Sequence, residues 1–209
     1  MNAKTVAACL VSLFLMSCAF NHAVTLNDRA NQRLGLGDPE GARQLYSESL
    51  EAAQQSGDKD TAAIAMYGLG RANGFLCHFR EAEQWLKKSI VMREQIPDSE
   101  TARFSQNLFE LARLYYDFEE YASAISYFER VIPMVEESGA TNQDPIGYAN
   151  VLEDYADALQ KENRHAEAEA VSKKISGLRD SNPGVPARFH IKRFTRNCPS
   201  SAIDKQASP

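Results

Sequence analysis

Residues 68–90, GLGRANGFLCHFREAEQWLKKSI, lie over residues 110–132, ELARLYYDFEEYASAISYFERVI, without a gap. Leu69, Gly70, Phe79, Ala82, Leu86 and Ser89 then fall on Leu111, Ala112, Tyr121, Ala124, Phe128 and Val131, each 42 positions on. A third copy at residues 154–175, DYADALQKENRHAEAEAVSKKI, places Tyr155, Ala156, His165, Ala168, Ser172 and Ile175 a further 44 along. Upstream, Arg29, Ala30, Pro39, Ala42, Tyr46 and Ser49 precede the Leu69 set by 40. Four copies of one unit therefore fill most of the 209 residues, and self-similarity at such a period signals a stacked array.

Within a copy the apolar spacing is helical. Leu108, Leu111, Ala112 and Tyr115 follow i, i+3, i+4, i+7, and so do Tyr121, Ala124, Ile125 and Phe128. Tyr148, Val151, Leu152, Tyr155 and Leu159 repeat the stripe. A short turn separates the two stripes of a copy, holding Gly37 in the first and Asn163 in the fourth. Acidic residues gather where each second helix begins (Glu81 and Glu83, Glu119 and Glu120, Glu167 and Glu169), where they complement the positive helix end. Lys173 and Lys174 sit near the end of the last helix. Pro133, late in a second helix, is expected to kink or shorten it. The polar run SGATNQDPIG, residues 138–147, is the longest linker and the expected place for a soft joint.

The small–large alternation resembles the tetratricopeptide repeat (TPR) family, in variants longer than the basic 34-residue unit. The resemblance covers residues 23–180, with repeats near 23–60, 63–98, 105–138 and 149–180. It implies an all-α, right-handed α-solenoid of about four helix hairpins. In that pattern Ala30, Gly70, Ala112 and Ala156 let a first helix approach its neighbour. Ala42, Ala82, Ala124 and Ala168 let the two helices of a hairpin cross closely, and Tyr46, Leu86 and Phe128 fill the space between repeats. Ser172 departs from it. The resemblance also implies that the first helix of each repeat lines a partner-binding groove. By position this groove takes Asn27 and Asn31 from the first repeat, Tyr67, Arg71 and Phe75 from the second, Phe109, Arg113 and Tyr116 from the third, and Glu153 and Asp157 from the fourth. Aromatic rings beside planar guanidinium groups form the usual anchor set of a protein interface. Tyr67 and Phe109 serve equally as packing between repeats, while Arg71 and Arg113 are expected to reach solvent. The family's carboxylate clamp is not reproduced, since Asn27 and Asn31 stand where a Lys and an Asn are wanted.

The N-terminus reads separately. Val6 to Met16 is apolar but too short to span a bilayer as a helix. With Lys4 before it and small residues after, it has the layout of an export signal. Leu15-Met16-Ser17-Cys18 resembles the lipobox of bacterial lipoproteins, which implies a signal at 1–17, acyl chains on Cys18 and a tether over 18–22. Several acyl chains anchor firmly where one does not. Ser17-Cys18-Ala19 also fits an ordinary cleaved signal, so both readings stand. By resemblance, Ala19 after the cysteine favours the outer membrane, facing the periplasm. With Cys9 removed and Cys18 acylated, Cys77 and Cys198 remain as a possible disulfide in an oxidising compartment.

Residues 18–180 hold 17 Lys and Arg against 27 Asp and Glu, a net −10, whereas residues 181–209 hold five basic side chains and only Asp204, a net +4. An acidic body argues against nucleic acid, which basic surfaces bind. The tail, 181–209, reads as largely irregular. In VPARFHIKRF, Val185, Ala187, Phe189 and Ile191 alternate with Arg188, His190 and Lys192, so a strip lying along the acidic fourth repeat, or a strand paired with a partner, is the other reading.

No catalytic signature is present. The run from Gly35 to Gly41 has the wrong spacing and no preceding strand for a dinucleotide loop, and reads as an interhelical turn. His22, His78, His165 and His190 are scattered without ligand spacing, so neither metal nor cofactor is expected. The function expected is a non-enzymatic scaffold holding a protein or peptide segment of the bacterial cell envelope, of the sort used in assembling secretion, pilus or cell-wall machinery. A homo-oligomeric structural subunit, or an accessory module for glycan or lipid, is the alternative.

Overall fold

The computed structural model describes residues 22–96, 101–188 and 191–199. The signal, Cys18, Phe189, His190 and residues 201–209 lie outside them. The chain divides into two compact units between Asp98 and Ser99. Among the described residues all regular structure is helical, as expected, and no helix is long and apolar enough to cross a membrane.

In the first unit, α1 (residues 22–35) and α2 (Pro39–Ser56) form one hairpin, and α3 (Lys59–Phe75) and α4 (Phe79–Glu94) the next. Their shared core is built from Leu34, Tyr46, Leu50, Met66 and Leu69 among many alanines. Crossing is close: a Cβ on Gly68 would lie 2.2 Å from the Tyr46 ring, so α3 can pass α2 there only without a side chain. Two buried hydroxyls tie the hairpins. Ser49 donates to the Ala23 carbonyl (2.8 Å) and Ser89, 40 residues on, donates to that of Ala63 (2.7 Å).

In the second unit, α5 (Thr101–Asp117) pairs with α6 (Tyr121–Glu137), and α8 (Pro145–Lys161) with α9 (His165–Asp180). The positions of the tying serines hold Val131 and Ile175, both buried, so apolar packing replaces the hydroxyl bonds. Pro133 does not shorten α6, which runs four residues beyond it. Nor is 138–147 a break: it holds the single turn α7 (Ala140–Gln143) and the start of α8. Ile132 and Val135 of α6 pack against the Tyr148–Leu152 cluster of α8, which keeps α6 and α8 in one core.

Helix starts explain two short motifs. Asp38-Pro39-Glu40-Gly41 and Asp144-Pro145-Ile146-Gly147 each place Asp as N-cap and Pro at the first turn. Each carboxylate accepts a 2.9 Å bond from the glycine N–H, and a Cβ on that glycine would collide with it.

The four hairpin turns share one geometry. Gly37, Cys77, Glu119 and Asn163 have φ of +81°, +64°, +63° and +60°, and they are spaced by the repeat offsets. The residue after each donates its N–H five residues back, as Asp38 to Arg33 (3.0 Å), His78 to Asn73 (2.9 Å), Glu120 to Tyr115 (2.9 Å) and Arg164 to Leu159 (2.8 Å). Glycine fits this left-handed position without penalty, asparagine tolerates it, and a glutamate pays about 1 kcal/mol for its Cβ. Glu119→Gly is therefore expected to raise the unfolding free energy by about 1 kcal/mol in urea titrations.

Tyr46 is almost fully buried and donates its hydroxyl to Asn31 Oδ1 (2.7 Å). Burial pushes this phenol up to about 12, against a partly offsetting field from Arg71. An unfolded tyrosine ionises near pH 10, so the folded chain holds the proton that the unfolded one loses. Tyr46 thus contributes fully below pH 10, and its contribution is lost as pH rises from 10 to about 12, by roughly 2 kcal/mol. Tyr46→Phe should cost about 1 kcal/mol at neutral pH yet show a shallower stability loss across that window.

Candidate functional site on the first helices of the second unit

The face of α5 and α8 in the second unit carries its main concentration of described polar side chains with low exposure. On α5, Glu110, Arg113 and Asp117 follow a spacing of three and four, which puts them on one stripe. On α8, Asp154 and Asp157 do the same, and Asp154 stands 44 residues after Glu110, at the matching repeat position. Glu110, Arg113, Asp117 and Asp154 are all buried. Glu110 and Arg113 neutralise each other at 2.7 Å. Asp117 and Asp154 are left as two desolvated carboxylates, which is costly unless a cation reaches both.

The tail supplies that cation. Arg193 Nη1 lies 3.0 Å from Asp117 Oδ1 and 2.9 Å from Asp154 Oδ2, and its Nη2 binds Asp154 Oδ1, making a two-pronged contact with Asp154. The guanidinium lies over the Tyr116 ring at 4.9 Å, and the Tyr116 hydroxyl donates to Asp157 Oδ2 at 2.9 Å. The next residue, Phe194, is 1% exposed; its N–H donates to Asp117 Oδ2 at 2.6 Å and its ring lies 4.3 Å from the Arg113 guanidinium. Upstream, the Arg188 N–H donates to Asp144 Oδ2 at 3.1 Å.

Burial pushes the Asp117 and Asp154 carboxyls above their ordinary range; the Phe194 N–H and Arg193 pull Asp117 back in part, and Arg193 does the same for Asp154. For Arg193, burial works against the charge, but the bond to Asp154 and the fields of both aspartates outweigh it, so its proton is held more firmly. Burial and the Asp157 bond raise the Tyr116 phenol.

The positions expected to form a groove fare differently. Arg113 does not reach solvent: at 3% exposure it lies under Phe194, bonded to Glu110. Tyr116 and Asp157 are joined by their hydrogen bond and lie beside Arg193. Glu153 is exposed and paired with Arg179 of α9 at 2.7 Å. Phe109 is half-buried, with its ring 6.4 Å from Phe128. It also borders a cavity of about 430 Å³ with Val131, Ile132, Val135, Tyr148 and Val151. In the first unit, Asn27 is buried and donates to the Thr61 carbonyl (3.4 Å), so it braces α1 against α3. Asn31 is exposed and accepts from Tyr46. Arg71 and Tyr67 are half-buried, the guanidinium 5.7 Å from the ring, and Phe75 packs on the core. Sequence reasoning missed Asp117, Asp154, Arg193 and Phe194. The signal was present: Lys192-Arg193-Phe194 joins a guanidinium to an aromatic ring, the anchor pattern sought only on the helices. No strand forms among the described tail residues; 185–188 are irregular, and Thr195–Asn197 is a short 3₁₀ turn.

A double-mutant cycle on Arg193→Ala and Asp154→Ala, read by urea denaturation, should return a coupling of roughly 1–3 kcal/mol. The same cycle with Lys192→Ala, whose side chain is exposed, should return none.

Tetratricopeptide-repeat family models match residues 21–95 and 105–132. No curated protein matches the chain. Among solved structures, BtubC (BKLC) from P. vanneervenii is similar with a TM-score of 0.69 at 17% identity, over 81% of this chain and 68% of that one. A putative kinesin light chain with nearly identical TPR-like repeats, from Podosopora anserina, gives 0.59 at 15% identity, over 78% and 77%. Aspartyl phosphate phosphatase F from Bacillus subtilis gives 0.54 at 14% identity, over 83% and 53%. At these identities the likeness concerns fold alone. The chain carries tetratricopeptide repeats over residues 21–95 and 105–132, on an all-α fold of the helix-hairpin solenoid class.

Proposed function

We propose that this protein is a non-enzymatic interaction scaffold of the bacterial cell envelope, anchored by lipid on Cys18 and holding a protein segment on the first helices of its repeats. The tetratricopeptide repeats support protein binding as the general role. The observation that carries the reading is the α5–α8 face itself, where buried side chains already hold an Arg-Phe segment through charge, stacking and a backbone bond. A surface that grips one peptide segment in this way has the chemistry to grip a partner's.

The envelope placement rests on residues 13–20, LFLMSCAF, and on the export layout before them. The short tether of 18–22 would hold the first repeat near the membrane, a fixed height suited to recruiting another envelope protein. Assembly of secretion, pilus or cell-wall machinery is the setting that the resemblance suggests. Pairing of Cys77 with Cys198 belongs to the same placement, since an oxidising compartment keeps such bonds.

Fractionation tests the anchor. The wild-type chain should extract from membranes only with detergent, and Cys18→Ser should move it to the soluble periplasmic fraction. A variant that stays membrane-bound would count against lipidation. Immobilised protein should in parallel capture a defined envelope protein, and Tyr67→Ala with Arg71→Ala should reduce that capture at least tenfold. Equal capture by both would remove the Tyr67–Arg71 face of α3 as the binding surface. An apolar ligand is the second reading, favoured by the 430 Å³ cavity beside Phe109 and Val135. Saturable uptake of a fluorescent fatty acid, lost in Val135→Trp, would support it.

A further inference from the structure

We propose that the α5–α8 seat is a recognition site for a peptide segment in which an arginine is followed directly by a large aromatic residue. Arg193 and Phe194 fill this site in cis, and a partner's segment of the same chemistry replaces them. The inference deepens the scaffold reading and rests on it.

Three features define the ligand. Asp117 and Asp154 are buried on two different helices, and only a planar cation with several N–H groups reaches an oxygen of Asp117 and both oxygens of Asp154 at once. A lysine ammonium is a point charge and reproduces one arm of that contact at most. Asp117 Oδ2 also accepts from the Phe194 N–H, which fixes the order of the two residues and the direction of the backbone. The aromatic side chain then covers the buried Glu110–Arg113 pair, stacking on the guanidinium. Charge, direction and ring are therefore each read by a separate group.

Two further features make the cis segment exchangeable. The described residues 181–188, which follow α9, contain no helix or strand, and Pro183, Gly184, Val185 and Pro186 are exposed. Apart from the disulfide at Cys198, whose reduction the exchange requires, Arg188, Arg193 and Phe194 hold the tail on the helices through side chains of aspartates rather than through a shared backbone ladder. Tethering through such a linker raises the local concentration of the cis segment to roughly the millimolar order, so a trans segment competes on affinity or number without unfolding a helix.

The test uses a labelled peptide of residues 191–196, IKRFTR, titrated by fluorescence anisotropy against the full chain with dithiothreitol present. The variant Arg193→Ala with Phe194→Ala should bind it with a micromolar dissociation constant, and the wild-type chain at least tenfold more weakly. Peptides carrying Lys for Arg, or Ala for Phe, should lose at least tenfold on the variant, while Arg-Trp and Arg-Tyr versions should bind within fivefold. No binding to a variant that keeps its helical circular dichroism and cooperative melting would overturn the proposal. So would equal binding to variant and wild type, or binding confined to the chain's own sequence. Should the double variant not fold, a protease site inserted at Gly184 and cut after folding, with dithiothreitol present to reduce the disulfide at Cys198, leaves the tail held only by its docking contacts. Excess labelled peptide should then displace it on size exclusion, and a tail that stays in place overturns the idea, as does its exchange into a second copy in preference to the peptide. Peptide binding reads the seat directly, whereas fractionation and capture read the anchor and the scaffold role, so the two can fail independently.

Discussion

Everything in this chain depends on how closely two helices can cross when a methyl group stands at the crossing. Ala42, Ala82, Ala124 and Ala168 are each wholly buried, one per hairpin, and a larger side chain at any of them would wedge its hairpin open. Close crossing is what seats the large residues: Tyr46 lies against Gly68 of α3, Leu86 against Gly70 of its own hairpin, and Phe128 5.6 Å from Tyr155 of α8, and all three are buried. The alanines contribute little hydrophobic area themselves. Their effect is geometric: they set the distance at which the large residues become useful. This explains why the pattern survives offsets of 40, 42 and 44 between copies. The extra residues are absorbed between hairpins, away from the crossing.

Given that frame, the two units solve the same packing problem differently. The first uses serine hydroxyls donating to backbone carbonyls across the hairpin, with small residues and Gly68 admitting the Tyr46 ring. The second places Val131 and Ile175 at the serine positions and moves its polar groups to the α5–α8 face. Polar side chains there are too short of water to stand alone. They are resolved in pairs, Glu110 with Arg113 and Tyr116 with Asp157, whereas Asp117 and Asp154 are resolved by the tail.

How much of this is legible in the sequence follows from the range of each interaction. Helix periodicity and repeat spacing are local signals, so the hairpins, their small-residue crossings and the turn at Gly37 can be read directly from the residues. Cys77 and Glu119 fall at the same offsets as Gly37 and Asn163, so their left-handed backbone is implied by the repeat. Residue type hides it, because neither side chain favours that conformation and the backbone bonds of the turn impose it. The polar run at 138–147 misleads in the opposite direction: its composition suits a linker, yet Asp144-Pro145 starts a helix and Tyr148 sits in a core. Arg113 is expected in solvent because a lone arginine on a helix is usually exposed. Its burial follows from Glu110 one turn before and from a phenylalanine 81 positions later, and no periodicity reports the second.

The same distinction clarifies what the tail's charge does. The body carries a net −10 and the tail +4, and such opposite signs would bring the two together by long-range attraction alone. Attraction of that kind cannot choose a register, because every basic side chain in the tail feels it. Lys192 and Arg196 flank the docked pair and remain exposed, so charge by itself does not explain why Arg193 is held. Register comes instead from the short-range part of the contact: two carboxylates arranged for a planar fork, and one carboxylate oxygen reserved for the following backbone N–H. Phe194 completes the selection, since its position offers a ring to the buried Arg113 face. The long-range field governs encounter, and the paired aspartates govern which two residues stay.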